Sequence, residues 1–177
     1  MQRTPLNEMA CSLARSLDVA GEWWTPLIVR DVWFGARRFE DIQRDLGVSR
    51  KVLADRLRTL VDEGILERRP YQEHPVRHKY VLTPKGRELM QAFFALMAWG
   101  DRWTAERVGP PMVLRHERCG EIVHAEVVCS ACAEPLRAEE TRIVRGPGAR
   151  VGRGSRYVEH LPAAEPWRVQ SARNDHD

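Results

Sequence analysis

The sequence predicts a mainly α-helical fold with one small β-hairpin, a winged helix-turn-helix, followed by a second, smaller C-terminal β segment. Three observations predict it. First, FEDIQRDL and SRKVLADRLRTLVDE form two amphipathic runs joined at Leu46-Gly47. Second, ILERRPYQEHPVRHKYVLT follows directly, with apolar residues at both ends and a polar, basic middle, the pattern of a hairpin. Third, Gly109-Pro110-Pro111 interrupts the chain, and past it the spacing of apolar residues becomes alternating.

Composition narrows the classes. The chain has 177 residues, enough for one full core and an appendage. Its net charge is only +3, so affinity for a polyanion must come from local clustering of cations. The start, MQRTPLNEMACS, lacks the charged-then-apolar pattern of a secretory signal. The uncharged run Ala92 to Trp99 falls far short of the ~20 residues of a membrane span. A cytoplasmic location is expected.

In chain order, residues 1–9 read as a loose arm. A first helix is expected from Cys11 to Val19, broken by Gly21. A second runs from Thr25 to Val32, with Thr25 as its cap and Pro26 at its first position, where the missing N–H costs nothing. Trp23, Trp24, Leu27, Ile28 and Trp33 are expected in core and dimer packing. Gly35 ends the helix, and Phe39 opens the helix-turn-helix.

The next helix is entered at Ser49, whose hydroxyl can accept a bond from a free N–H of the first turn. Leu53, Leu57, Leu60 and Val61 make its apolar stripe, and Gly64 serves as a left-handed cap. Arg50 and Lys51 stand in the first turn, Asp62 and Glu63 at the far end. The helix dipole favours the opposite order. The inversion makes sense where the first turn faces a polyanion, as in helices that enter a DNA major groove. Candidate DNA contacts are therefore Ser49, Arg50, Lys51 and Arg58. The hairpin adds His74, Arg77 and His78, with Arg68, Arg69 and Lys79 alongside; its strands contain Ile65-Leu66 and Tyr80-Val81-Leu82, and its turn region holds Pro70 and Pro75.

These blocks together resemble the HxlR-type winged-helix transcriptional regulators, related to the MarR group. Carrying the resemblance are Cys11 ahead of the first helix, Gly21-Glu22-Trp23-Trp24-Thr25, RRFEDIQ, VSRKVLADRLRTL, EGILERR and YVLTPKGREL, in order over residues 10–107. Trp24 stands where the family often has Lys. The resemblance implies a dimeric double-stranded-DNA-binding repressor or activator, without enzymatic activity. It also implies that Cys11 answers oxidants or electrophiles, with Arg15 on the same helical face to favour the thiolate. The alternative is an ordinary buried cysteine.

Thr83 and Pro84 open a long helix whose Leu89, Phe93, Leu96, Met97, Gly100 and Trp103 form a stripe, widened by Met90 and Phe94 and extending towards Val108. So broad a face exceeds what a small winged helix covers. It fits either monomer packing or a two-fold seam; the resemblance favours the seam, and with it a palindromic operator with half-sites ~34 Å apart.

Residues 112–140 form the second segment. His116-x2-Cys119 and Cys129-x2-Cys132 are two short-spaced donor pairs, the arrangement tetrahedral zinc requires, and alternation between them makes the segment zinc-ribbon-like. His124 is the alternative fourth ligand. A metal-free tail and a Cys129–Cys132 disulfide are the competing readings. Ala133 stands where part of the resembled family has Gly. Residues 141–177, rich in Gly and Arg at their start, read as a flexible basic tail. A protein-interaction module without DNA contact is the alternative function. No phosphate-binding Gly loop, nucleotide fingerprint or nucleophile–base pair supports an enzyme.

Overall fold

The computed structural model describes residues 6–105 and 108–164. These divide into two compact units: residues 19–136, and the described parts of 1–18 and 137–177. The helices are α1 (Ser12–Ala20), α2 (Trp24–Phe34), α3 (Phe39–Leu46), α4 (Arg50–Asp62) and α5 (Pro84–Trp103). Strands β1 (Leu66–Gln72) and β2 (Arg77–Leu82) form one antiparallel pair, and β3 (Leu114–Arg115) and β4 (Ile122–Val123) another.

In the larger unit, Ile28, Val29 and Val32 of α2 meet Ile42 of α3, Leu53, Leu57 and Leu60 of α4, and Met90 of α5, all buried. The apolar stripe of α4 thus faces inward and its charged face outward. Val61, expected in that stripe, lies at the core margin. Gly47 turns α3 into α4 at φ 62°. Beyond α4, Gly64 adopts φ 66°, with Gly64 N–H donating to Val61 O and Ile65 N–H to Leu60 O, a Schellman end.

The base of the hairpin is locked to the following helix. Thr83 Oγ1 donates to Gly64 O at 2.6 Å and accepts from Gly86 N at 3.1 Å. A Cβ on Gly86 would lie 2.2 Å from Ile65 O, so only glycine lets α5 sit this close to the strand.

Three local expectations are corrected. Thr25 does not cap α2: the helix begins at Trp24, and Thr25 is buried within it. The preceding residue, Trp23, is already helical and, at 89% exposed in the single chain, takes no part in that chain's own core; the expected dimer packing is untouched by this. Pro70 lies inside β1, opposite His78, not in the turn. A two-stranded hairpin tolerates this because each strand is an edge, and the register shifts between Pro70 and Gln72.

In the smaller unit, Leu6 N–H donates to Asp18 Oδ1 at 3.1 Å. The stretch expected to be a flexible tail has defined backbone pairing up to residue 164. Arg145 N–H donates to Pro162 O at 2.8 Å, Ala164 N–H to Arg145 O at 3.2 Å, and Arg156–His160 forms a 3-10 turn. The rest of that tail, the first five residues of the expected N-terminal arm and residues 106–107 lie outside the described residues.

Candidate nucleic-acid interface and cysteine turns

The leading end of α4 is exposed. Ser49 is extended, at φ −62° and ψ 145°, and its Oγ accepts from Val52 N at 3.3 Å. That uses the oxygen as the cap and leaves the hydroxyl hydrogen as a donor. Arg50 and Lys51 follow, both exposed. Arg50 lies over the Phe39 ring, 4.9 Å from its centroid, and reaches Gln43 Oε1 at 3.4 Å. Gln43 in turn donates to Val48 O at 3.4 Å. Phe39 and Gln43 therefore hold the α4 cation from α3. Sequence reasoning missed this role; Phe39 at the opening of α3 was the available signal. Arg58, also exposed, pairs with Asp55 at 3.2 Å.

The hairpin carries the second basic group. Arg68 Nη2 meets His78 Nδ1 at 3.1 Å, and Arg77 and His74 are exposed toward the tip, where Gln72 donates to His74 O at 3.0 Å. Tyr80 N–H donates to Arg37 O at 2.7 Å, tying β2 to the segment before α3. Arg38 lies 4.6 Å from the Tyr71 ring centroid. A cleft of about 570 Å³ runs between them, bordered by Arg38, Arg44, Arg68, Arg77 and His78, with Glu40 and Asp41 on its α3 side. Arg38, Arg44 and Tyr71 are further candidates that sequence spacing did not single out.

Behind this surface, Arg30 donates to Asp31 Oδ1 through Nε at 3.0 Å and Nη2 at 2.6 Å, and to Asp45 Oδ2 at 3.2 Å. The network joins α2 to α3. Asp31 Oδ2 is buried without a hydrogen-bond partner. Burial pushes the Asp31 carboxyl above its ordinary value of 3.8, against the pull of Arg30.

The model of the HxlR-like helix-turn-helix matches residues 19–108. The chain belongs to the HxlR-like helix-turn-helix family. It is 44% identical over 137 residues to an uncharacterized HTH-type transcriptional regulator of Mycobacterium tuberculosis, Rv3095, covering 77% of this chain and 87% of that one. It is 34% identical over 98 residues to the HTH-type transcriptional regulator YodB of Bacillus subtilis, 55% of this chain and 88% of YodB. The crystal structure of PA1607, a candidate transcription factor, superposes with a TM-score of 0.72 at 36% identity, over 81% of this chain and 100% of that one. This HxlR-like protein is accordingly a helix-turn-helix transcriptional regulator. Among the described residues, no helix is long and apolar enough to cross a membrane.

The remaining candidates lie elsewhere. Cys11 is partly exposed, and its carbonyl accepts Arg15 N–H at 3.1 Å, opening α1. The Arg15 side chain, expected near the thiol, donates to Ser12 Oγ at 3.2 Å. In the C-terminal segment, His116 Nδ1 and Cys119 Sγ lie 3.3 Å apart. Cys129 and Cys132 are also neighbours: the backbone N–H groups of Ala131 and Cys132, and then the Cys132 side chain, bond the Cys129 sulfur and draw its thiol down from the ordinary value. The four cysteines are all free thiols. The structure brings the donors together as two pairs. Among the described residues, no three His, Cys, Asp or Glu side chains are gathered closely enough to hold one metal ion. His124 instead pairs with Glu126 at 3.2 Å.

Proposed function

We propose that this regulator binds a palindromic operator as a homodimer, with the leading end of α4 in the major groove and the hairpin on the flanking backbone. The observation that carries this reading is the exposed, cationic first turn of α4. Ser49 spends its oxygen on the cap and offers its hydroxyl hydrogen; Arg50 and Lys51 project beside it. Arg50 reads a base edge after leaving Gln43, and Lys51 and Arg58 neutralise phosphates. His74, Arg77 and His78 take the backbone or minor groove on the hairpin side. Association of two copies is supported by Leu96, Trp99 and Trp103, which form an exposed apolar row on α5, Trp103 being 68% exposed. Cys11, at the opening of α1, serves as the thiol through which an oxidant alters operator affinity. A small-molecule effector would use the half-open cavity of about 430 Å³ between α5 and the β3–β4 hairpin. The segment 112–140 is a zinc-ribbon-like appendage to this DNA-binding body.

Selection of bound sequences from a random duplex pool tests the reading, followed by titration of the selected site. Arg50→Ala should weaken binding by ~1–3 kcal/mol and relax preference at one base pair. Arg77→Ala should weaken binding to all sequences alike and flatten the salt slope. Recovery of single, unrepeated half-sites, or an Arg50→Ala protein that binds as tightly as the parent, would sink it. Alkylation of Cys11 with no change in operator affinity would remove the thiol from the account.

A further inference from the structure

We infer that His116, Cys119, Cys129 and Cys132 form a four-ligand structural zinc site, and that the metal, rather than a core, fixes residues 112–136. The inference rests on a match between two turns. In the first, His116 N–H donates to Glu121 O at 2.9 Å and Gly120 N–H to His116 O at 2.7 Å. In the second, Cys129 N–H donates to Glu134 O at 2.8 Å and Ala133 N–H to Cys129 O at 2.8 Å. The two hexapeptides therefore close by the same pair of bonds, each with its donors at the first and fourth positions. The fifth position is left-handed in both: Gly120 at φ 77° and Ala133 at φ 62°.

Ala133 is the single non-glycine residue with positive φ among the described residues. An L-residue with a Cβ avoids this region, so the turn is held there against the preference of its own residue. Each turn is carried on an antiparallel pairing. Leu114 and Arg115 pair with Val123 and Ile122 around the first, and Val128 bridges Pro135 around the second. Two hairpins, each offering two soft or borderline donors from a tight turn, are what tetrahedral zinc joins.

Burial supplies the complementary argument. No residue from 109 to 136 is buried, and Val113, Ile122 and Val127 are all more than half exposed. Apolar burial therefore does not explain two well-formed turns here, and coordination is the other source of folding free energy open to so short a segment. The structure holds the donors as two pairs, not as a set of four. Metal binding closes the gap between the pairs. Three thiol protons leave as Zn²⁺ binds, His116 coordinates as the neutral imidazole, and no position remains for water, so the ion is structural and not catalytic. His116 is assigned over His124 because it occupies the turn position equivalent to Cys129, whereas His124 follows β4 and faces Glu126.

The test uses the full-length chain, purified reduced and without chelator. Zinc content is measured directly, and cobalt is then titrated into chelator-stripped protein. About one zinc per chain and a cobalt spectrum of a four-coordinate thiolate site are expected. Cys119→Ser, Cys132→Ser and His116→Ala should each reduce cobalt affinity by ~10-fold or more, since losing a ligand costs no less than losing one of its outer-shell partners, while His124→Ala should match the parent. Circular dichroism and operator titration of each variant show whether the DNA-binding body remains folded, so a lost site is distinguished from a lost fold. No zinc and no cobalt–thiolate bands in the reduced parent would overturn the inference, as would a Cys129–Cys132 disulfide in protein isolated under non-reducing conditions. Retention of cobalt affinity by His116→Ala with loss in His124→Ala would overturn the ligand assignment.

Discussion

The winged-helix body and the cysteine-turn segment belong to the same compact unit, yet different forces shape them. In the body, α2, α4 and α5 bury aliphatic side chains against one another, and Ile28, Leu53, Leu57 and Leu60 are at most 1% exposed. In the segment from 112 to 136 no side chain is buried, and order resides in repeated backbone bonds. In the body the fold is spread over many buried aliphatic contacts. A turn with two donors at fixed positions depends on those few atoms.

The largest separation between the two regions should come from the core. Leu57→Ala should lower the unfolding free energy by about 2–5 kcal/mol, because a fully buried leucine leaves a cavity as well as lost contacts. Denaturant titration measures it. Unchanged cobalt affinity under native conditions in the same variant would sharpen the contrast; a matching loss would break it.

Ala133→Gly acts on the other side. It relieves a left-handed alanine and should stabilise the metal-bound form of the segment by about 1 kcal/mol, read as tighter cobalt binding. Equal or weaker binding would mean that the left-handed turn is no burden to this segment.

The smallest effect concerns Asp31. Its carboxyl titrates above 3.8 in the folded state, so the folded protein holds that proton more tightly than the unfolded chain. This group's contribution to stability is therefore greatest below pH 3.8 and falls as pH rises through the higher folded value. Asp31→Asn should flatten that part of the stability–pH curve. A parent curve with no decline across this window, or an Asn variant with the same slope, would remove Asp31 from the account.

The capping residues were the most legible part of the molecule. Ser49, Gly64, Thr83 and Pro84 each stand where sequence alone puts them, because a cap depends on atoms within one helical turn. Thr25 was misread for the same reason in reverse: it has cap chemistry, but burial against the core placed it inside α2. Trp23 has the composition of a core residue and projects outward, since its position on the surface follows from how α2 docks and not from its hydropathy. The hold of Phe39 and Gln43 on Arg50 joins two helices and left no periodic trace in the chain.

The order of helices and hairpin, the inward stripe of α4 and the spacing of the sulfur and imidazole donors could be read from the amino acids, because period and spacing are properties of one covalent chain. Packing settled which side chain steadies Arg50, the burial of Asp31 with one oxygen unpartnered, and that the two donor pairs stand apart. Those outcomes depend on how separate helices and turns meet, which no single stretch of chain fixes.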